Sequence, residues 1–328
     1  MELKIMTWNI KGAASLGWNN QYKIDSLMVD KIIKQDADII VLTEFVIAKG
    51  LDYLFERFQN EGYIWFISNR SGKNGILIGI KKDLIKADDL VNEVYNSNTI
   101  SSVVEGCNIL RVAIPLQCGI NLCIIGCRME TGGAGNLQAQ YDSASNNFDN
   151  ILLPMISSLE KDHIYIVCGD FNNARCCGNL NEKFNPRNYN GKAQINYNLN
   201  IIKDKFERIG FKMTNVGKTG ESIPTHNGYV PDDHIFVHGL EPKKSDTTAV
   251  DKLSDHDILV AECLAFLNKD YEATGDYFKD GGETYTIEEL LIKIESDLGY
   301  GQADGEKLIK KCVERGYISD CGNNTYSR

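Results

Sequence analysis

Residues 163–172 read HIYIVCGDFN, and the fold turns on how that stretch ends. Ile164 to Cys168 is an unbroken apolar run, the pattern of a strand buried on both faces. It gives way at once to Gly169, Asp170, Phe171 and Asn172, a tight turn that leaves an acid and an amide at the strand's end. The same figure recurs along the chain. Leu3 to Trp8 reads as a strand and closes on Asn9, and the apolar run DIIVLT over 38–43 closes on Glu44. A later strand opens with Asp232, Asp233 and His234, and another with Ser254, Asp255 and His256. Any one of these has an ordinary explanation as a turn residue or a solvated strand end. Five in one chain suggest polar groups gathered at one rim of a sheet.

Working outward, Ile24, Leu27, Met28 and Ile32 recur at helical spacing, as do Leu51, Leu54, Phe55 and Phe58. Further strands are expected at 62–67, 75–80, 109–114, 120–127, 234–238 and 257–265, and helices around 137–160 and 197–209. Strands outnumber helices, and short polar loops join pairs such as 62–67 and 75–80. That favours an α/β, four-layer sandwich of two packed mixed β-sheets flanked by helices, rather than a βαβ barrel.

The 328 residues are 43% hydrophobic, enough for one large core and a small appendage. Composition shifts near residue 268, so domains are expected over 1–268 and 269–328. In the second, Thr286 and Glu289 have capping-box spacing ahead of Ile287, Leu290, Leu291, Ile294 and Leu298. A second helix carries Leu308, Ile309, Cys312 and Val313, and a terminal hairpin turns at Gly322-Asn323-Asn324, together a winged-helix-like module. Its 8 Lys/Arg against 13 Asp/Glu, a net of −5, argue for docking a protein partner or self-association over reading DNA.

The whole chain is also acidic, at −10. That lowers the expectation of tight nonspecific nucleic-acid binding, but a bound metal can supply positive charge at a phosphate. Of ten cysteines, Cys118, Cys123, Cys127 and Cys168 fall in or beside apolar runs, Cys176 and Cys177 are adjacent, and no C-x-x-C occurs. Reduced thiols are expected, not a zinc site. MELKIMTWNI has no apolar signal core, and no run approaches the ~18 apolar residues a membrane span needs, so a cytoplasmic location is expected.

Taken in order, Asn9, Glu44, Asp170-x-Asn172, Asp233 and Ser254-Asp255-His256 resemble the endonuclease/exonuclease/phosphatase superfamily, the fold of deoxyribonuclease I and the abasic-site endonucleases, over roughly residues 1–266. The resemblance implies a phosphodiesterase dependent on Mg²⁺ or Mn²⁺. Glu44 would be the principal metal ligand, with Asn9 and Asp255 close to the same ion. Asp170 would orient or deprotonate water, Asn172 would donate to the nucleophile or a nonbridging oxygen, and His256 would stabilise the transition state or leaving oxygen. Asp233 would hold the His256 ring, with Asp232 the adjacent alternative; His234, pointing the other way, is read as structural. Many relatives carry a histidine where this chain has Arg128, which can fork onto phosphate but cannot give up a proton. A salt bridge from Arg128 to Glu130 or Glu44 is the bland alternative. Arg70 and Asn74, with Lys73, lie in a polar loop within reach of a substrate, and Thr131 to Gly135 offer a flexible lid. Trp8 and His226 read as packing residues.

Nucleic acid is the expected substrate class, DNA or RNA, through a nuclease. A small phosphorylated metabolite or nucleotide is the alternative. A third reading is a non-catalytic protein that binds nucleic acid or recruits a partner through 269–328.

Overall fold

The computed structural model describes residues 1–11, 24–47, 49–68, 75–86, 93–96, 108–129, 145–156, 163–172, 199–215, 223–226, 231–250, 252–278 and 284–327, with backbone only at 93–96, 200, 268 and 269. The chain divides into two compact units, Glu2–Leu264 and Ala265–Arg328 with Met1.

In the large unit twelve strands are described: β1 Glu2–Asn9, β2 Ile39–Phe45, β3 Tyr63–Ile67, β4 Gly75–Lys81, β5 Glu93–Asn96, β6 Asn108–Pro115, β7 Asn121–Arg128, β8 His163–Asp170, β9 Lys212–Met213, β10 Asp233–His238, β11 Glu241–Thr248 and β12 Ile258–Leu264. They form two six-stranded sheets, ordered β11-β12-β1-β2-β4-β3 and β5-β6-β7-β8-β10-β9. Each sheet has a parallel pair at its centre, β1 with β2 and β7 with β8, and antiparallel neighbours outside. A parallel pair needs a long crossover. The helix Ser26–Lys34 lies in the first, and a wide π turn over Asn146–Leu152 running into Leu153–Ile156 lies in the second.

Side-chain alternation then builds four layers. Cys123, Ile125 and Cys127 of β7 pack outward with Phe148, Leu152, Ile156, Ile202 and Phe206 from the helices on that side. Met6, Trp8, Ile40 and Leu42 of the other sheet pack outward with Met28, Val29, Ile32, Leu54 and Phe58. Between the sheets the fit is close at Gly126. A Cβ there would sit 2.8 Å from Ile76 Cγ2 and 2.9 Å from Val41 Cγ1, both on the opposite sheet, so only glycine lets the two parallel pairs approach. The expected α/β sandwich is the observed one.

The small unit holds helices Asn268–Asp276, Ile287–Leu298 and Gln302–Glu314, with a three-stranded sheet of Tyr285–Thr286, Thr325–Ser327 and Ser319–Gly322. The Thr286–Glu289 capping box forms. The first helix lies in a stretch whose polar composition conceals it. Asp270 organises it: its carboxylate accepts from Leu267 N at 2.7 Å and from the Tyr300 hydroxyl at 2.8 Å. Among the described residues, no helix is long and apolar enough to cross a membrane.

Candidate active site

Register brings the polar strand ends together. Asn9 of β1 pairs with Thr43 of β2, next to Glu44; Arg128 of β7 pairs with Asp170 of β8, and Asp170 with Asp233 of β10. Bonds between the sheets then join the ends. Asn9 Nδ2 donates to Asp170 Oδ2 at 2.7 Å, and Arg128 donates to Glu44 Oε1 at 2.9 Å through Nε, with Nη2 at the same distance. Glu44 is thus the partner Arg128 takes; Glu130, Arg70, Lys73, Asn74 and the glycine loop over 131–135 lie outside the described residues.

Asp170 is fully buried at the centre of this rim. Its Oδ2 also accepts from Asn172 Nδ2, and its Oδ1 from the Asn172 backbone N–H, both at 2.9 Å. Burial raises its pKa, the nearby charge of Asp233 raises it further, and His256 and Arg128 oppose these effects only in part. Glu44, Asn172 and Lys11 all have φ of 51–52°, the left-handed region that side chains with a Cβ seldom adopt. Asn172 bonds Asp170 itself, Lys11 bonds Asn9 and Glu44 bonds Arg128, so the unusual backbone recurs at the strand ends of this rim, as it often does at functional sites.

His256 stands beside this group. Its Nδ1 donates to Asp233 Oδ2 at 2.7 Å. Ser254 explains the local motif: its Oγ donates to the Asn9 carbonyl at 2.8 Å and accepts from the His256 backbone N–H at 3.1 Å. Trp8 donates its indole N–H to the His256 carbonyl at 2.8 Å, so this buried tryptophan anchors the site as well as the core. Burial alone would push the His256 imidazole down. The charge and hydrogen bond of Asp233, with Asp170 and Asp255 nearby, outweigh it and raise the pKa to about 10. The other aspartate, Asp232, takes a different histidine: its Oδ2 lies 2.9 Å from His226 Nδ1.

Lys11 and His226 belong to the site although neither stands out in the sequence. Lys11 Nζ lies 2.9 Å from Asp255 Oδ2, and its backbone N–H donates to Asn9 Oδ1 at 2.8 Å. Burial works against the Asp255 carboxylate, yet Lys11 and His256 hold it below the usual range. No composition or spacing signal marks Lys11, because its partner is 244 positions away.

Two donor sets could take a metal. Glu44, Asp255 and Asn9 supply hard oxygens, and the two carboxylates hold cationic side chains, Arg128 and Lys11, as partners. Oxygen donors are the type that hard divalent ions take. His226, Asp255 and His256 also bring ligand atoms within 4.8 Å of one another. Their two rings, however, are stacked 4.3 Å apart and 5° from parallel. An imidazole binds a metal in its own plane at about 2.0–2.1 Å. Parallel rings cannot both do so at one ion without turning out of their bonds to Asp232 and Asp233, which counts against this set as the rings stand.

The endonuclease/exonuclease/phosphatase family matches residues 6–256. The chain belongs to that family. Its members are phosphoric-ester hydrolases, generally dependent on a divalent metal. No curated protein matches the chain in sequence. Among solved structures it is similar to D. rerio TDP2 complexed with single strand DNA product, at 16% identity and TM-score 0.52, covering 80% of this chain and 99% of that one. A family protein from Beutenbergia cavernae is similar at 15% identity and TM-score 0.56, over 80% and 72% of the two chains. The human Nocturnin catalytic domain with bound sulfate is similar at 18% identity and TM-score 0.52, over 80% and 93%. At these identities the likeness is one of fold.

Proposed function

We propose that the chain is a divalent-metal-dependent phosphodiesterase whose substrate is a nucleic acid. The observation that carries the reading is the pairing of His256 on Asp233 beside the amide-held carboxylate of Asp170: an acid and a base, in environments that set them apart, at one rim. Glu44, Asp255 and Asn9 would hold the ion, which supplies positive charge at the phosphate and to the bound water.

Asp170 would accept a proton from the attacking water in its ionised form, and burial raises the affinity of that carboxylate for the proton. Asn9 and Asn172 would fix the orientation of that carboxylate; the Asn172 amide gives one N–H to Asp170 and the other to the Met129 carbonyl at 2.9 Å, so to donate to the entering oxygen it would exchange one of these bonds. His256, protonated at neutral pH, meets charge gathering on the phosphoryl group or the leaving oxygen. Arg128 would bring positive charge to a nonbridging oxygen and donate no proton; its planar fork, which holds Glu44 through Nε and Nη2, would have to exchange that partner to grip the phosphate.

Nucleic acid is favoured because the fold is shared with D. rerio TDP2, itself solved with single strand DNA product. The net charge of −10 favours a second reading, a small phosphorylated metabolite or nucleotide. The deciding experiment is a panel of supercoiled plasmid, single-stranded DNA, RNA, inositol phosphates and a chromogenic phosphodiester, each with Mg²⁺, Mn²⁺ or EDTA. Metal-dependent nicking or shortening is expected, abolished by EDTA. In the same assay Glu44→Gln should raise the half-saturating metal concentration at least about tenfold while leaving folding intact. Unchanged metal dependence would remove Glu44 from the ligand set. Turnover of the small phosphates alone moves the chain to the phosphatase reading, and silence across the panel favours a non-catalytic partner or nucleic-acid binder.

A further inference from the structure

We propose that His226 is a positioning residue for His256, a planar shelf that limits the tilt of the reacting ring while Asp233 sets its direction. The inference rests on the phosphodiesterase reading for its kinetic consequence, but not for its structural one.

The Cβ–Cγ tether and a hydrogen bond to Nδ1 together set the mean plane of an imidazole, but a hydrogen bond tolerates departures of about 30° from linearity, so the ring can still rock. The bond of 2.7 Å from His256 to Asp233 therefore sets the ring's direction and leaves its tilt soft. His226 supplies the missing constraint. Its ring lies on that of His256 with centroids 4.3 Å apart and planes 5° from parallel, an offset stack in which the two faces overlap in part.

The shelf is itself firmly placed. His226 and His256 are directly opposite one another in an isolated antiparallel bridge, which sets their side chains side by side. The residue before it, Thr225, is fully buried, and its Oγ1 accepts from the Asp233 backbone N–H at 3.0 Å. The Thr225 carbonyl accepts from the Asp257 N–H at 2.6 Å. Thus one short segment is tied on one side to the strand bearing Asp233 and on the other to the turn bearing His256. Asp232, a carboxylate only 6% exposed, then bonds His226 Nδ1 at 2.9 Å and stops the shelf from turning. A buried carboxylate is costly to place, and here it is spent on a residue 28% exposed at the cleft wall. The result is two parallel His–Asp pairs from the adjacent aspartates 232 and 233, one at the reaction and one bracing it.

The test compares His226→Ala, His226→Gln and His226→Phe in the full chain, with the chromogenic phosphodiester and Mg²⁺. Only Phe restores a flat ring. Loss of orientation at a reacting group is expected to lower kcat by roughly 10- to 100-fold in the Ala and Gln variants. KM and the half-saturating Mg²⁺ concentration should stay within about twofold, and the Phe variant should return to within about threefold of wild type. A Phe variant as poor as Ala, a rise in metal requirement, a rise in KM alone, or an unaffected Ala variant would each overturn the proposal. The first two of these would make His226 a ligand, and the third a substrate contact. A second measurement needs no turnover. The His256 ring C–H resonances should be single, sharp and shifted upfield in wild type and the Phe variant, and broadened or displaced in Ala and Gln. Unaltered resonances in Ala overturn the positioning role even if the wild-type chain hydrolyses nothing, whereas a silent enzyme with the expected spectra sinks only the phosphodiesterase reading.

Discussion

On one face of β10, Asp233 lies against the His256 ring; on the other, one residue along, His234 is sealed among Phe171, Phe236 and Asn215. Both imidazoles are buried, and both feel the charge of Asp233. Yet His256 is raised to about 10, while burial takes His234 down to about 4 against that same charge. The difference lies in the contact. Asp233 meets His256 with a hydrogen bond as well as a charge, and Asp170 and Asp255 add theirs, whereas His234 has the charge of Asp233 without that bond and is sealed completely, with Asn215 Nδ2 2.9 Å from its Nδ1. A carboxylate in direct contact outweighs burial and selects the cation; without that contact burial wins and the neutral ring is kept. Under the proposed mechanism, two histidines on either side of one aspartate thereby serve chemistry and packing.

The sharpest way to break the comparison is to remove the chemical histidine. His256→Ala should lower kcat by about 10³-fold. The folded chain should remain, because the ring is a small part of the apolar core. The measurement is steady-state turnover beside a thermal melt. A loss that tracks unfolding, or a loss under tenfold, would return His256 to the structural class.

Next comes the packing histidine, whose signature is in stability. Its folded pKa of about 4 lies below the usual value of 6.5, so the folded state binds fewer protons between those pH values. The contribution of neutral His234 is fully present above about pH 6.5 and is lost as pH falls toward 4, on the order of 3 kcal/mol. His256 has the opposite sign: its folded pKa is raised, so its contribution is present below 6.5 and fades as pH rises toward 10. Melts of wild type and His234→Phe from pH 4 to 7.5 should show a shallower acid limb in the variant. Parallel limbs would mean that His234 titrates normally.

Much of this arrangement was legible because local sequence and global position agree. An apolar run that stops at Asp170, or at Glu44, announces both a buried strand and a polar group at its end. The capping box at Thr286 and Glu289 is similarly local, and it forms where expected. What was hidden depends on chain segments meeting from afar. Lys11 finds Asp255, and His226 finds His256, through pairings that no spacing encodes. The helix Asn268–Asp276 was hidden differently: its polar residues read as a connector until Asp270 is seen capping it and taking a hydroxyl from Tyr300. The choice between Asp232 and Asp233 belongs to the same class, since adjacent aspartates differ only in which neighbour they meet.

That choice gives the finest prediction. Asp233→Asn keeps the shape of the group under His256 but removes the charge that most strongly opposes the effect of burial on that ring. His256 should then lose its proton at lower pH, so kcat near neutrality should fall about 10²-fold. The alkaline fall of the pH–rate profile should also begin earlier than in wild type. Asp232→Asn leaves an amide oxygen able to accept from His226, and the stack on His256 survives, so a loss under about tenfold with an unmoved profile is expected. The assay is kcat against pH on the chromogenic phosphodiester for both variants. Equal losses, or a larger one at Asp232, would show that the ring's charge is not governed by the carboxylate it touches, and the contrast between His256 and His234 would need another cause.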